Sequence, residues 1–388
     1  MLPFRNLTGD TTQAHVADGL TEDIITTLSQ VPRLFVIARR SSFAFKGKPT
    51  PVRTVAEKLG VRFVLEGGVQ RTKDRMRVNV QLVDAVRGRL IWAHRYDRAA
   101  TDLFKVKDEI ILRIATELLV KLTEGEQARI GLSITRNLAA WEALRQGTVH
   151  LRKYSKGSNA RARPLYLEAI SLDPNAVQAW SAVGWTHWFD ARFGWSDSRS
   201  KSLETAIAMA HRALKGDPSH GDAYRLLGSS HLLRREYDKA LAFHRKSVAR
   251  EPNGAQAAAV YAFVLNYAAR PAEAIVQMQR AMRLSPYYPA WYLSHLGLSY
   301  HLAGQHDKAL AAQTAATRRM ARNALFRARL AALYADLGRM SEARAMAAEV
   351  RRLSPRHTIR YHMAANPFKD AAVRDRWMSL LRKAGLHE

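Results

Sequence analysis

A proline that recurs at a fixed interval is the feature that most constrains this chain. In the second part of the sequence, proline follows an acidic residue or serine at Asp173-Pro174, Asp217-Pro218, Glu251-Pro252, Ser285-Pro286 and Ser354-Pro355. Successive prolines are 44, 34, 34 and 69 residues apart, so one period carries a ten-residue insertion and the last interval spans two periods. A period of about 34 residues is typical of an array of paired antiparallel helices.

Small residues between the prolines support this period. In the unit that begins at Gly221, Gly228 and Ala240 occupy the eighth and twentieth positions, and a later unit has Gly297 and Ala309 there. Small side chains at these positions let helix backbones approach, and the terminal proline ends the second helix. The pattern resembles the tetratricopeptide repeat family over more than half of the chain. It predicts six units, at residues 143–174, 177–218, 221–252, 255–286, 290–321 and 324–355.

The first 122 residues follow a different pattern, typical of a small α/β domain. Leu34-Phe35-Val36-Ile37 is an apolar run of strand length, and residues 62–69 form a second run that ends in glycines. Apolar and polar residues alternate over 76–83 and 90–96, which predicts a β-hairpin with one covered face. Helices are expected at residues 16–30, 54–60 and 102–121.

Short motifs in this domain resemble the TolB-amino-terminal-like α/β domain. They are Leu2-Pro3-Phe4-Arg5-Asn6-Leu7-Thr8-Gly9-Asp10 and residues 17–23, 36–39, 42–43, 60–67 and 92–97. Joined to tetratricopeptide repeats, that domain is similar to the non-catalytic C-terminal half of bacterial class III adenylate and guanylate cyclases, and residues 366–386 resemble the end of the same proteins. The resemblance implies a regulatory role beside a nucleotide cyclase or a winged-helix output domain. A strand enters the Leu-Pro-Phe motif in that family, so the first strand here is expected to be truncated.

The expected fold class is an α+β N-terminal domain followed by an all-α tetratricopeptide superhelix, an α-solenoid. We predict the TolB-like domain at 1–122, a linker helix at 123–142, the repeats at 143–355 and a capping helix at 356–388. A cap is expected because the last repeat of a solenoid has no neighbour to cover its face.

The sequence supplies none of the parts of a nucleotide cyclase. It contains no cysteine, which excludes thiol catalysis and cysteine-based metal sites. It has no G-x-x-x-x-G-K-[ST] phosphate loop and no βαββαβ context for the two metal-binding carboxylates of class III cyclases. We therefore expect a chain that is not an enzyme and needs no cofactor. The alternative is part of an adenylate cyclase whose catalytic domain lies upstream or on another chain.

Several charged and histidine side chains are interpreted as structural. His295, His301 and His306 are close in sequence but lack the i, i+4 spacing that places two metal ligands on one helix face, so no metal site is expected. Asp18, Glu22 and Asp23 are interpreted as carboxylates near a helix start, where the helix dipole favours negative charge.

The net charge of +27 is typical of proteins that bind nucleic acid. A nucleic-acid-binding accessory protein or transcription regulator is therefore a second alternative. Residues 318–388 carry 16 basic and 6 acidic residues, but many of them fall on second helices, away from the predicted groove. A solvated face or an acidic partner is therefore favoured over nucleic acid. The sequence shows no export signal or membrane span, so a cytoplasmic protein is expected, and its oligomeric state stays open.

The predicted partner-binding surface is the concave face of the repeats, formed by positions 2, 5, 9 and 12 of each first helix. Aromatic and hydrogen-bonding residues mix there, which suits an extended peptide or a partner helix. The alternative is that the groove binds the protein's own tail or nothing. The aromatic insertion at 189–198 is expected to extend a helix or pack a loop against the next repeat, and the alternative is that it lines a ligand groove. The candidates that bind an unidentified protein or peptide are Trp185, Trp188, Asp222, Arg225, Ser229, Phe263, Asn266, Trp291 and His301.

Overall fold

The computed structural model describes residues 1–118 and 135–388, and these residues form two compact units. Unit 1 contains the described residues up to Leu227 together with Lys246–Gly254 and Leu284–Tyr287. Unit 2 contains Gly228–Arg245, Ala255–Arg283 and Tyr288–Glu388. As far as the structure describes the chain, all strands belong to unit 1.

Unit 1 begins with a four-stranded sheet in the order β1-β2-β3-β4. β1 runs parallel to β2, and the other neighbours are antiparallel. Val83 pairs with Leu90 across β3 and β4, so the predicted hairpin is confirmed. Gly67 is required where β2 approaches β3, because a Cβ there would lie 2.2 Å from the carbonyl oxygen of Asn79. The strands are β1 (Arg5–Asn6), β2 (Phe63–Arg71), β3 (Arg75–Asp84) and β4 (Arg89–Ala99).

Helices α1 and α4 share one hydrophobic core with the alternating side chains of this sheet. Val78 and Val80 of β3 are buried together with Ile24 of α1 and Ile110 of α4, as the period-2 and period-3.6 apolar patterns require. The helices of this region are α1 (Ala14–Ser29), α2 (Arg39–Phe43), α3 (Val52–Leu59) and α4 (Leu103–Glu117).

The prediction of a strand at residues 34–37 is wrong. The segment forms no strand, because its side chains are divided between two hydrophobic clusters rather than packed on one sheet. Val36 joins the main core, whereas Ile37 packs with Phe45 and Val55. The backbone N–H of Ala38 donates instead to the carbonyl of Leu284, at 2.8 Å.

The first repeat helix, α5, packs against α1 through a buried tryptophan. Trp141 is fully buried, and its indole N–H donates to Oδ2 of Asp23 at 2.6 Å. Glu22 belongs to the same network, because Arg145 pairs with both Glu22 and Asp23. These two carboxylates lie in the middle of α1, so the interpretation that they are near a helix start is wrong. Burial raises the pKa of Glu22, but the guanidinium groups of Arg152, Arg145 and Arg39 outweigh it and lower that pKa to about 2.

Paired helices make up the rest of the described chain, which confirms the predicted fold class of a small N-terminal sheet followed by helical repeats. The repeat helices are α5 (Leu138–Leu151), α6 (Lys156–Leu172), α7 (Val177–Phe193), α8 (Arg199–Gly216), α9 (Gly221–Leu233), α10 (Tyr237–Arg250), α11 (Ala255–Tyr267), α12 (Pro271–Leu284), α13 (Ala290–Leu302), α14 (His306–Arg319), α15 (Ala324–Asp336) and α16 (Met340–Leu353).

Small residues bring these helices together as the sequence predicts. In unit 1, Ala162 and Ala169 of α6 are fully buried, and the Tyr166 ring lies directly on Gly147 of α5, where a Cβ would be 2.5 Å away. In the second repeat, Gly184 of α7 faces Ala206 of α8. The eighth and twentieth positions thus meet at the helix crossing.

Two further helices, α17 (Ile359–Ala365) and α18 (Ala371–Lys383), follow the repeats in unit 2. Residues 123–134 of the predicted linker helix lie outside the described residues. Asn137 caps α5, so a helix begins at Leu138 inside the remaining part of that predicted linker. Among the described helices, none is long and apolar enough to cross a membrane.

Candidate functional site

The two tryptophan candidates of unit 1 lie on α7, and Asp222 and Arg225 lie on α9. The ten-residue insertion lengthens α7 to Phe193, and Gly194 ends it in the left-handed region, with φ of 66°. The expectation that the insertion extends a helix is met. Trp185, Phe189 and Phe193 follow one another at i, i+4 on the same helix face. Their rings and those of two neighbours form a continuous series, here called the aromatic face: Trp185, Trp188, Phe189, Phe193 and Trp195.

Ring contacts make the aromatic face a preformed surface. The centroids are 5.3 Å apart between Trp185 and Trp188, 5.9 Å between Phe189 and Phe193, and 4.9 Å between Phe193 and Trp195. These distances fall in the range of favourable aromatic pairs. Phe193 nevertheless keeps 44% of its surface exposed, so apolar area is available to a partner.

Asp222 and Arg225 fix the orientation of Trp185. The indole N–H of Trp185 donates to Oδ2 of Asp222 at 2.9 Å, and Arg225 pairs with the other oxygen of that carboxylate. The Arg225 guanidinium also lies 4.8 Å from the centroid of a Trp185 ring. These two charged candidates therefore support the aromatic face, because each is bound to Trp185.

Trp188 differs from Trp185 in the hydrogen bonding of its indole N–H. The indole N–H of Trp188 is buried and has no hydrogen-bond partner among the described residues. A buried donor without a partner costs about 1–3 kcal/mol. A carbonyl oxygen brought by a bound segment would remove this cost.

The candidate residues of unit 2 include two half-buried aromatic rings. Phe263 of α11 and Trp291 of α13 both contact the ring of His295, at 4.8 and 5.8 Å between centroids. Asn266 is buried, and its amide donates to the carbonyl of His295 at 3.1 Å, so it joins two first helices. Ser229 is also buried and shows 2% exposure, which leaves it little surface for a partner.

His301 is covered by the C-terminal part of the chain. Its ring lies 5.1 Å from that of Trp377 in α18, and Nε2 forms a 2.8 Å hydrogen bond with Oδ2 of Asp336. Arg376 also binds Asp336, with Nη2 2.6 Å from Oδ1. His301 therefore contacts the chain's own C-terminal helix at the place where sequence analysis expected an external partner.

Residues 366–377 cover the first helices of the fourth to sixth repeats rather than only the end of the last one. Phe368 contacts Tyr267 of α11 at 5.2 Å between ring centroids, and the backbone N–H of Lys369 donates to the Tyr267 carbonyl at 2.8 Å. The alternative that the groove binds the protein's own tail thus describes this part of unit 2.

A buried arginine anchors the same C-terminal segment. Arg329 of α15 is 2% exposed, and its guanidinium donates to the neutral oxygens of Ser294, Tyr267 and Asn366 at 2.9 Å each. Nearby, burial lowers the pKa of His357 to about 4 and that of His362 well below its usual value. Both imidazoles are therefore neutral at pH 7, and for His362 the positive charge of Arg329 acts in the same direction as burial.

The sequence indicated these surfaces only in part. It left open whether Phe189 and Phe193 extend a helix or line a groove, although their i, i+4 spacing from Trp185 indicates one shared helix face. The covering of His301 by Trp377 had no sequence signal, because 76 positions separate the two residues.

The fold and the packing at the eighth and twentieth positions define the class of protein. The helical part has the tetratricopeptide-repeat fold. Among solved structures, the chain is similar to the Cut9–Hcn1 hetero-tetramer of the APC/C, with a TM-score of 0.51 and 17% identity over 74% of this chain and 56% of that chain. It is also similar to TTC0263, a thermophilic TPR protein of Thermus thermophilus, with a TM-score of 0.40 and 26% identity over 53% of this chain and 100% of that one.

A curated relative connects the chain to nucleotide cyclases by name. The chain is 38% identical over 240 residues to putative adenylate cyclase 3 of Rhizobium meliloti (strain 1021), a match that covers 62% of this chain. The chain spans 41% of the length of that relative. No protein-family model matches the sequence.

Proposed function

We propose that this chain is a non-catalytic protein-interaction module that binds a protein segment at the aromatic face and regulates a nucleotide cyclase. The aromatic face carries the binding part of the proposal, because it combines exposed apolar area with a buried indole N–H that lacks a partner among the described residues. The identity to putative adenylate cyclase 3 supports the cyclase part.

The chemistry of the aromatic face favours an extended segment with an apolar side chain. A backbone carbonyl of that segment would accept from Trp188, and its side chain would pack on the exposed surface of Phe193. Large aromatic residues are the usual energetic anchors of such interfaces, whereas surrounding residues contribute less. Asp222 and Arg225 would act through the orientation of Trp185.

We further propose that the first 118 residues are a TolB-like regulatory domain and that the protein works in the cytoplasm. The motifs quoted above and the mixed sheet support the first point. In unit 2, Phe263 and Trp291 are additional candidates for partner contact, whereas His301 would become accessible only if the C-terminal segment moved.

A peptide-display selection against the full chain tests the binding part. We expect extended peptides with an aromatic or aliphatic anchor, and Trp188→Ala should weaken the selected peptides by about tenfold or more, as for a central hot-spot residue. Trp180→Ala is the matched control, because this tryptophan lies on the same helix but donates to the carbonyl of Pro174 and packs on Arg212. Equal losses in both variants would contradict the proposal.

An enzymatic assay tests the non-catalytic part separately. The purified chain, given ATP or GTP with Mg²⁺ or Mn²⁺, is expected to form no cyclic nucleotide above the background without protein. Metal-dependent product formation that scales with chain concentration would show that the chain is itself a cyclase.

A further inference from the structure

Three side chains with metal-binding groups meet in unit 2, at the ends of helices from neighbouring repeats. His301 lies near the end of α13, His306 begins α14 and Asp336 ends α15. One ligand atom from each residue lies within 4.8 Å of the other two. The sequence spacing did not indicate this set. The two histidines lie on either side of the turn between α13 and α14, and the carboxylate comes from the next repeat.

We propose that His301, His306 and Asp336 bind a divalent transition-metal ion, with Zn²⁺ or Co²⁺ as the best chemical match. Imidazole and carboxylate together suit these borderline ions, and three protein ligands leave a coordination position for water. The Asp336 side chain is only 8% exposed and that of His301 only 7%, whereas His306 is half-buried, so an ion would reach the ligands from the side of His306.

The imidazole groups are placed to act as ligands. The Nε2 atom of His301 lies 2.8 Å from Oδ2 of Asp336, so an ion could replace the hydrogen atom of this bond while the His301 proton occupies Nδ1. Nδ1 of His306 is buried and has no hydrogen-bond partner among the described residues. A metal ion at this point would engage a ring that packs edge-on against His301, at 6.0 Å between centroids.

Arg376 is the main opposing feature. Its Nη2 atom lies 2.6 Å from Oδ1 and 2.9 Å from Oδ2 of Asp336. A carboxylate offers about four lone-pair directions, so Oδ2 can face the ion while Oδ1 keeps Arg376. The guanidinium group and the ion are both positively charged and repel each other. We therefore expect a dissociation constant of about 1 µM, which is much weaker binding than that of structural zinc sites.

Isothermal titration of the untagged full chain with ZnCl₂ tests the proposal. We expect one high-affinity ion per chain and a rise in melting temperature with added Zn²⁺, since ligands that bind only the folded state stabilise it. His306→Gln and Asp336→Asn should each weaken binding by about tenfold or more. His211→Gln is the matched control, because His211 is an exposed histidine of α8 outside the set.

Co²⁺ provides a spectroscopic readout that does not depend on activity. Replacing Zn²⁺ by Co²⁺ should give a visible absorption band, and the Co²⁺ concentration at which this band reaches half of its maximum should rise about tenfold in His306→Gln and stay unchanged in His211→Gln. Circular dichroism checks that each variant keeps its helical content. Absence of a high-affinity Zn²⁺ event, or equal affinity in wild type and a folded His306→Gln variant, would overturn the proposal.

Discussion

Replacing Trp141 with phenylalanine tests whether the first repeat is fixed to the N-terminal domain by one buried hydrogen bond. The substitution keeps an aromatic ring beside Phe104, 6.4 Å away between centroids, but removes the indole N–H that donates to Asp23 at 2.6 Å. Asp23 would then keep Arg145, whose Nη1 atom is 3.4 Å from Oδ1, as its neighbouring positive charge. A buried carboxylate would lose its shortest hydrogen bond.

The expected loss of stability follows from two contributions. A hydrogen bond to a charged group contributes about 1.5–3 kcal/mol, and the smaller phenylalanine ring leaves a gap that costs about 1 kcal/mol more. Trp141→Phe should therefore lower the free energy of unfolding by about 2.5–4 kcal/mol. Trp180→Phe is the control with the same chemical change. Its indole N–H donates to a backbone carbonyl near the surface, so its loss should stay below about 1 kcal/mol.

Urea unfolding followed by far-ultraviolet circular dichroism measures both variants, because this signal does not depend on the tryptophan content. The denaturant slope should match that of the wild type, so that the shift in midpoint reports stability. A Trp141→Phe variant within about 0.5 kcal/mol of the wild type, or equal to Trp180→Phe, would refute the assignment of a central role to this hydrogen bond.

Three further perturbations follow from particular contacts. Gly184→Ala should lower the free energy of unfolding by about 1–3 kcal/mol, because its Cβ would lie 2.4 Å from Leu226 Cδ2. Gly157→Ala has no described atom within 4 Å of its Cβ and should raise the free energy of unfolding by about 0.5–1 kcal/mol. Melting temperatures that shift in the same direction in both variants would contradict this. Lowering pH from about 6.5 to 4 should destabilise unit 2, with about 3 kcal/mol from His357, because the unfolded state takes up a proton on His357 that the folded state does not; His362 acts in the same direction, so His357→Asn should reduce this dependence without abolishing it. Trp377→Ala removes the ring contacts to Phe368 and His301, so residues 366–388 should become sensitive to trypsin, while a tail as resistant as in wild type would argue against the packing described.

Local patterns in the sequence determined the repeat architecture. The 34-residue period and the small residues at positions such as Gly184 and Ala206 depend on packing between helices that are adjacent in sequence, and that packing repeats from unit to unit. The β-hairpin was predictable for the same reason, since its alternation and its turn lie within one short segment. The strand at 34–37 was not predictable, because an apolar run can divide between two cores as well as enter a sheet.

Only the tertiary structure decided which side chains are available on the repeat surfaces. Trp188 and His301 both occupy the twelfth position of their repeats, yet one belongs to the aromatic face and the other lies under Trp377. Nothing in the sequence indicated that Asp336 would meet His301 and His306. Such contacts join residues from different repeats and from the C-terminal segment. Their distances depend on how the helices pack in three dimensions, which the periodicity of a single chain does not encode.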